Sequence, residues 1–316
     1  MSMKDTIVRQ AMNFLARRNG FRMLVERTPP GTESPSFGEL RSHIRRFRDA
    51  KGRGPIYLVA LPKAGGSWLV AMVSQVTGMI NARKPLIKQL SPCSEAPWDM
   101  LHPHFTDMTD LTDEAAQFFR GKAAIVHIHP APTADNIRKM READWRCLFL
   151  VRDLRDVMVS LYHHLMRRSE AHRKRFEAVS QEEGLDMVLQ EFLEPFSLFL
   201  EKWTAVAEAD GFLMVRYEDL LADPAGELKR IAEFYGVETE DDVIERTVER
   251  FDAARIKARS SLGREQFFSN IKLRSGKSGG WQKDLTEAQA RRISNCAGGA
   301  ITCCETPEAV VGWTGD

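Results

Sequence analysis

The sequence predicts a three-layer α/β fold, with a central parallel sheet flanked by helices, and three observations carry that prediction. Four short apolar runs, at 56–61, 123–128, 147–151 and 212–215, are continuous rather than alternating, as strands covered on both faces are. Each is followed by polar residues and then a helical pattern, the rhythm of strand–helix–strand units. The first run leads straight into a glycine turn that opens a helix, YLVALPKAGGSWLV from Tyr57 to Val70.

Length and composition fit this class. A chain of 316 residues with 43% apolar content can bury a large core. The formal net charge is +1, so the molecule as a whole is not built to hold nucleic acid, and any attraction for an anionic ligand must be local. The arginine-rich run RSHIRRFRDAKGR at 41–53 reads as a solvated helix face. No stretch of about 18 apolar residues suggests a transmembrane helix. The opening MSMKDTIVRQAMNFLARRNGF does not read as a secretory signal. Its periodicity through Ile7, Val8, Met12 and Leu15 suggests that residues 1–50 form a helical extension packed on a single domain at 51–316, with a membrane-surface helix as the other reading. Cys93, Cys147, Cys296, Cys303 and Cys304 are odd in number and form no CxxC pair, which favours free thiols in a reducing cytoplasm over a zinc site or a disulfide framework.

The helices carry their own punctuation. Trp68, Leu69, Met72, Val73 and Val76 form a stripe that stops at Gly78. Asp223-Pro224 starts a helix with a side-chain cap and a first-turn proline, Leu228, Ile231, Ala232 and Tyr235 continue it, and Gly236 ends it. Thr286 and Gln289 have capping-box spacing. Two stretches, 81–120 and the charge-dense 165–184, read as mobile covers over a site.

The chemistry concentrates at two strand ends. In the first turn, a helix N-terminus brings backbone N–H groups and partial positive charge to one spot. Gly65 and Gly66 let the backbone curl around an anion, Lys63 adds a charge, and Ser67 adds a hydroxyl. The bland alternative is a tight turn with a solvated lysine. The turn departs from G-x-x-x-x-G-K-[ST]: the lysine precedes the glycines and no Lys-Ser/Thr pair is present to hold magnesium, so no metal is expected. The second place is Arg152, directly after CLFLV, where open α/β sheets bind ligands; Ser160 follows eight residues later, about two helical turns. The pair suits a second phosphate.

Taken in order, these segments resemble the cytosolic-type sulfotransferases. PKAGGSW resembles that family's 5′-phosphosulfate loop, PKSGTTW; VRDLRDVMVSLYHH its 3′-phosphate segment; MVRYEDLLADPAGELKRIAEFYGV its YEDL stretch; and RSGKSGGW its late RKGxxGxW loop. The resemblance implies a P-loop-like fold and the donor 3′-phosphoadenosine 5′-phosphosulfate (PAPS, leaving PAP), with sulfuryl transfer to a hydroxyl or amine of a small-molecule, lipid or sugar acceptor. It also implies roles for individual residues. Lys63 would hold the phosphosulfate bridge, with Ala64, Gly65, Gly66 and Ser67 around the 5′ end. Trp68 would lie on or beside the adenine and Tyr217 would face it. Arg152, Ser160, Arg274, Ser275 and Gly276 would surround the 3′-phosphate, and Ser160 would steer Lys63.

The family's general base is a histidine before a proline at a strand end. VHIHPAP offers His129, with His127 as the other candidate. Departures from the family pattern are Ala64, Gly66 (one hydroxyl donor fewer) and Ser275. Gln282, Glu287 and Arg291 break its dimer motif and leave the oligomeric state open. Trp98, His102, His104 and Phe105 are expected to line the acceptor pocket. The rival readings are a nucleotide kinase or NTPase, and a non-catalytic nucleotide-binding protein of the same fold.

Overall fold

The computed structural model describes residues 55–81, 108–168, 170–252, 254–256 and 276–297. The expected N-terminal helix, the run at 41–53, Trp98, His102, His104, Phe105, Arg274 and Ser275 lie outside them.

The centre of the sheet is β1 (Ile56–Ala60), followed in the chain by β2 (Ile80–Asn81), β3 (Met108–Thr109), β4 (Ala124–Pro130), β5 (Cys147–Val151) and β6 (Leu213–Arg216). Across the sheet the order is β2-β4-β1-β5-β6, with β3 beside β4, and every pairing is parallel. IYLVA and CLFLV are buried at every position, which is why they carry no polar alternation. Each expected strand is present within two residues. β4 runs on to Pro130, which brings His129 into the strand opposite Met108.

Helices cover the sheet. They are α1 (Gly66–Thr77), α2 (Asp113–Phe118), α3 (Ala134–Glu142), α4 (Leu154–Arg168), α5 (Glu170–Glu177), α6 (Gln181–Asp210), α7 (Tyr217–Ala222), α8 (Pro224–Phe234), α9 (Asp241–Arg250) and α10 (Glu287–Ala297), with a 3₁₀ turn at Gly280–Lys283. The caps follow the sequence signals. Gly78, at φ 72°, closes α1, and the Asp223 carboxylate accepts the Gly226 N–H at 2.8 Å. Thr286 and Gln289 exchange backbone–side-chain bonds at 3.1 and 3.2 Å.

The expectation of a mobile cover at 165–184 is corrected, because the described part of that stretch is helical. Ser180 and Glu183 form a capping box that starts the 30-residue α6. The charges there are solvated helix faces, while Phe176 and Leu185 turn inward. On the buried side of α6, Trp203 donates its indole N–H to the Pro130 carbonyl at 3.0 Å and so ties this helix to the end of β4. Among the described residues no helix is long and apolar enough to cross a membrane, and no cluster of His, Cys, Asp and Glu could hold a metal. Cys147 (buried) and Cys296 (exposed) are free thiols.

Candidate active site

The turn after β1 is built on left-handed backbone. Gly65 has φ 105° and caps α1, where its carbonyl accepts the N–H groups of Trp68 at 2.9 Å and Leu69 at 3.2 Å. Lys63 has φ 73°, a conformation that costs a residue with a Cβ roughly 1–2 kcal/mol. Strain of that kind persists where surrounding bonds fix it. Here Arg152 Nη1 donates to the Lys63 carbonyl at 3.2 Å. The first N–H groups of α1, at Gly66 and the exposed Ser67, therefore open at the carboxyl end of β1 together with the dipole of α1.

Both glycines are required by close neighbours. A Cβ on Gly65 would stand 2.7 Å from Tyr217 Cδ2, and one on Gly66 would stand 2.4 Å from His127 Nε2. The hydroxyl that Gly66 lacks thus has no room, since the imidazole of His127 fills its place. Ala64 is buried, 1% exposed. Trp68 and Tyr217 are also buried, at 6% and 3%, and meet edge to face with centroids 5.8 Å apart. The Trp68 indole N–H is committed to the Phe251 carbonyl at 2.9 Å. The two rings pack together beside the turn, and burial pushes the Tyr217 phenol pKa up.

Arg152 stands at the end of β5, two residues before α4, and ties three segments together. Its guanidinium reaches the Lys63 carbonyl, donates from Nη2 to the Lys277 carbonyl at 3.3 Å, and lies 4.1 Å over the Tyr217 ring. Gly276, at φ 68°, is half-buried beside Lys277. Ser160 is half-buried two turns into α4. The glycine turn, the Arg152 strand end and the loop at Lys277 thus meet at the carboxyl ends of β1 and β5.

Two acids here escape sequence reasoning. Asp156 is 1% exposed and accepts the N–H groups of Gly279 at 2.8 Å and Trp281 at 3.0 Å. Glu218 accepts the Asp153 N–H at 3.2 Å, and burial pushes its carboxyl above the ordinary range. The available signal was Asp156 following Arg152 by one helical turn, at the start of the apolar stretch Val157–Val159.

At the neighbouring strand end, β4 places His127 and His129 on one face, two residues apart, with ring centroids at 4.9 Å. His129 is 7% exposed and its Nδ1 lies 2.6 Å from the Ala60 carbonyl oxygen. A carbonyl can only accept, so Nδ1 carries the proton, and in the neutral ring the lone pair is on Nε2.

A parallel sheet whose strand ends gather a helix N-terminus, a lysine and a stapled arginine belongs to a protein that handles a phosphate-like anion. Residues 53–301 match the family model of the sulfotransferase domain, and the chain belongs to that family. Cytosolic sulfotransferase 17 of Arabidopsis thaliana is 26% identical over 276 residues, which cover 79% of this chain and 75% of that protein. Sulfotransferase 2A1 of Rattus norvegicus is 24% identical over 247 residues, 74% of this chain and 80% of that one. Among solved structures, mouse sulfotransferase SULT7A1 complexed with PAP aligns with a TM-score of 0.54 at 16% identity, covering 77% of this chain and 82% of that one, a likeness of fold. The protein is a transferase with a P-loop-like α/β fold, and the kinase or NTPase reading falls away.

Proposed function

We propose that this sulfotransferase takes PAPS as its donor and moves the sulfuryl group to an acceptor hydroxyl or amine by in-line displacement, with His129 as general base. The observation that carries the reading is Arg152 bridging the Lys63 turn and the Lys277 loop, because it supports one ligand reaching both phosphate positions. The mouse sulfotransferase of similar fold was solved with PAP, the desulfated product of that donor.

Each residue then has a task. The N–H groups of Gly66 and Ser67 and the Lys63 ammonium hold the 5′ end and balance charge on the departing phosphate oxygen. Arg152, Ser160 and Gly276, with Arg274 and Ser275 from the sequence, hold the 3′-phosphate. Trp68 and Tyr217 support the adenine side from beneath. Nε2 of His129 takes the acceptor's proton as its oxygen or nitrogen attacks sulfur, while Nδ1–H stays on Ala60 and fixes the ring. Ser160 orients Lys63. Fixed cations serve the charge that a metal would otherwise meet, so none is needed.

The acceptor is a small molecule, a lipid head or a sugar, and the reaction takes place in the cytoplasm. Incubating the purified chain with radiolabelled PAPS and a panel of phenols, sterols and sugars tests the reading: labelled product that persists with EDTA supports it, and no transfer to any class counts against it.

A further inference from the structure

An acid at the rim of an anion site works against the ligand electrostatically unless it does something else. Asp156 sits in the first turn of α4, four residues after Arg152, and is 1% exposed. Its two oxygens are aimed at one loop. Oδ2 accepts the Gly279 N–H at 2.8 Å and Oδ1 the Trp281 N–H at 3.0 Å, and the Ser278 hydroxyl lies 3.4 Å from Oδ2. Gly279 has φ 73° and leads into the 3₁₀ turn Gly280–Lys283, so two backbone donors converge on a single carboxylate. The charged groups facing it are Arg152, 3.7 Å from Oδ2, and Glu218, which shares Ser278 at 3.4 Å. The Arg155 guanidinium stacks 4.3 Å over the Trp281 ring while bound to Asp153, so the loop is held from a second point on α4.

We propose that Asp156 is a positioning residue for the donor's 3′-phosphate side. It clasps the loop around 276–283 onto α4 and so sets Lys277 and its neighbours against the Arg152 guanidinium. The inference rests on the donor reading above. Asp156 does not touch the donor; it acts by fixing the loop and orienting Arg152. The nucleotide's 5′ end, held at the Lys63 turn, is outside its reach.

The test is calorimetry on the full chain with PAP and with adenosine 5′-phosphate, together with steady-state kinetics. Asp156→Asn keeps the volume but turns an amide N–H toward backbone donors. It is expected to weaken PAP about 10–100-fold and adenosine 5′-phosphate by less than about twofold, a selective loss typical of a broken charged clasp. KM for PAPS rises in step, while kcat at saturation changes by less than about threefold. If that variant lacks a cooperative thermal transition, Gly279→Val is the second probe. A side chain there meets no atom within 4 Å, but the positive φ is strained and tilts the N–H away from Asp156. The same selectivity is expected, about 3–10-fold. Equal losses for both nucleotides, or an unchanged PAP affinity in either folded variant, would overturn the clasp. A wild-type chain that binds PAP no better than adenosine 5′-phosphate would overturn the donor reading itself, and the clasp with it.

Discussion

The carboxyl ends of β1 and β5 differ sharply from that of β4, although the three lie side by side. The first two are stitched together by bonds between residues 89 to 125 positions apart: Arg152 to Lys63 and Lys277, and Asp156 to Gly279 and Trp281. The end of β4 rests on shorter links, His129 on Ala60 and Pro130 under Trp203. The side proposed to hold the donor is thus assembled from backbone groups and fixed charges in set places, and the side proposed to take the proton from one oriented ring. The lesson is that donor grip and proton transfer can fail separately, and that mutations should sort them.

The largest effect expected is at His129. His129→Ala should lower kcat by about 10²–10⁴ while PAP affinity stays within about twofold, the range for a lost general base. The same loss in His127→Ala, with His129→Ala near normal, would reverse the assignment. Arg152→Ala breaks the other side: PAP should bind about 10–100-fold more weakly and adenosine 5′-phosphate nearly as before, as for a lost charged hydrogen bond. Equal losses would remove the arginine from the 3′-phosphate.

Gly66 sits where the two sides touch. Gly66→Thr should cost about 1–3 kcal/mol of stability through overpacking against His127, with a drop in turnover. Adding His127→Ala should recover part of both, and a double variant no better than the single one would show that the collision is not what limits it. The smallest effect is electrostatic. Burial raises the Glu218 carboxyl pKa above its ordinary value, so folding favours the protonated form. That contribution is complete below the unfolded value and is lost as pH rises through the folded one. Glu218→Gln should therefore raise the melting temperature slightly at pH 7, with the gain vanishing near pH 4. A gain that persists there would point to packing instead.

Much of the donor side was legible because its signals are local. Continuous apolar runs mark fully covered strands, and PKAGGSW must turn with glycines wherever it lies. The partners of those signals were not legible. Nothing in the spacing says that Asp156 meets residues more than a hundred positions later, or that His127 fills the place of a side chain at residue 66. Nor does the sequence say that the Trp68 indole N–H is bound to the Phe251 carbonyl, 183 positions later. The long α6 was not read from the sequence: it holds Gly184 and Pro195 within it, and its buried face, with Phe192, Phe196 and Trp203, packs on α4 and α10, partners that no local pattern names.

The most direct measurement is calorimetric titration of the unmodified full chain with PAP and then with adenosine 5′-phosphate. Two phosphates gripped at once predict that PAP binds at least about tenfold tighter, one charged contact's worth. Equal affinity, or no binding of PAP, would contradict the account.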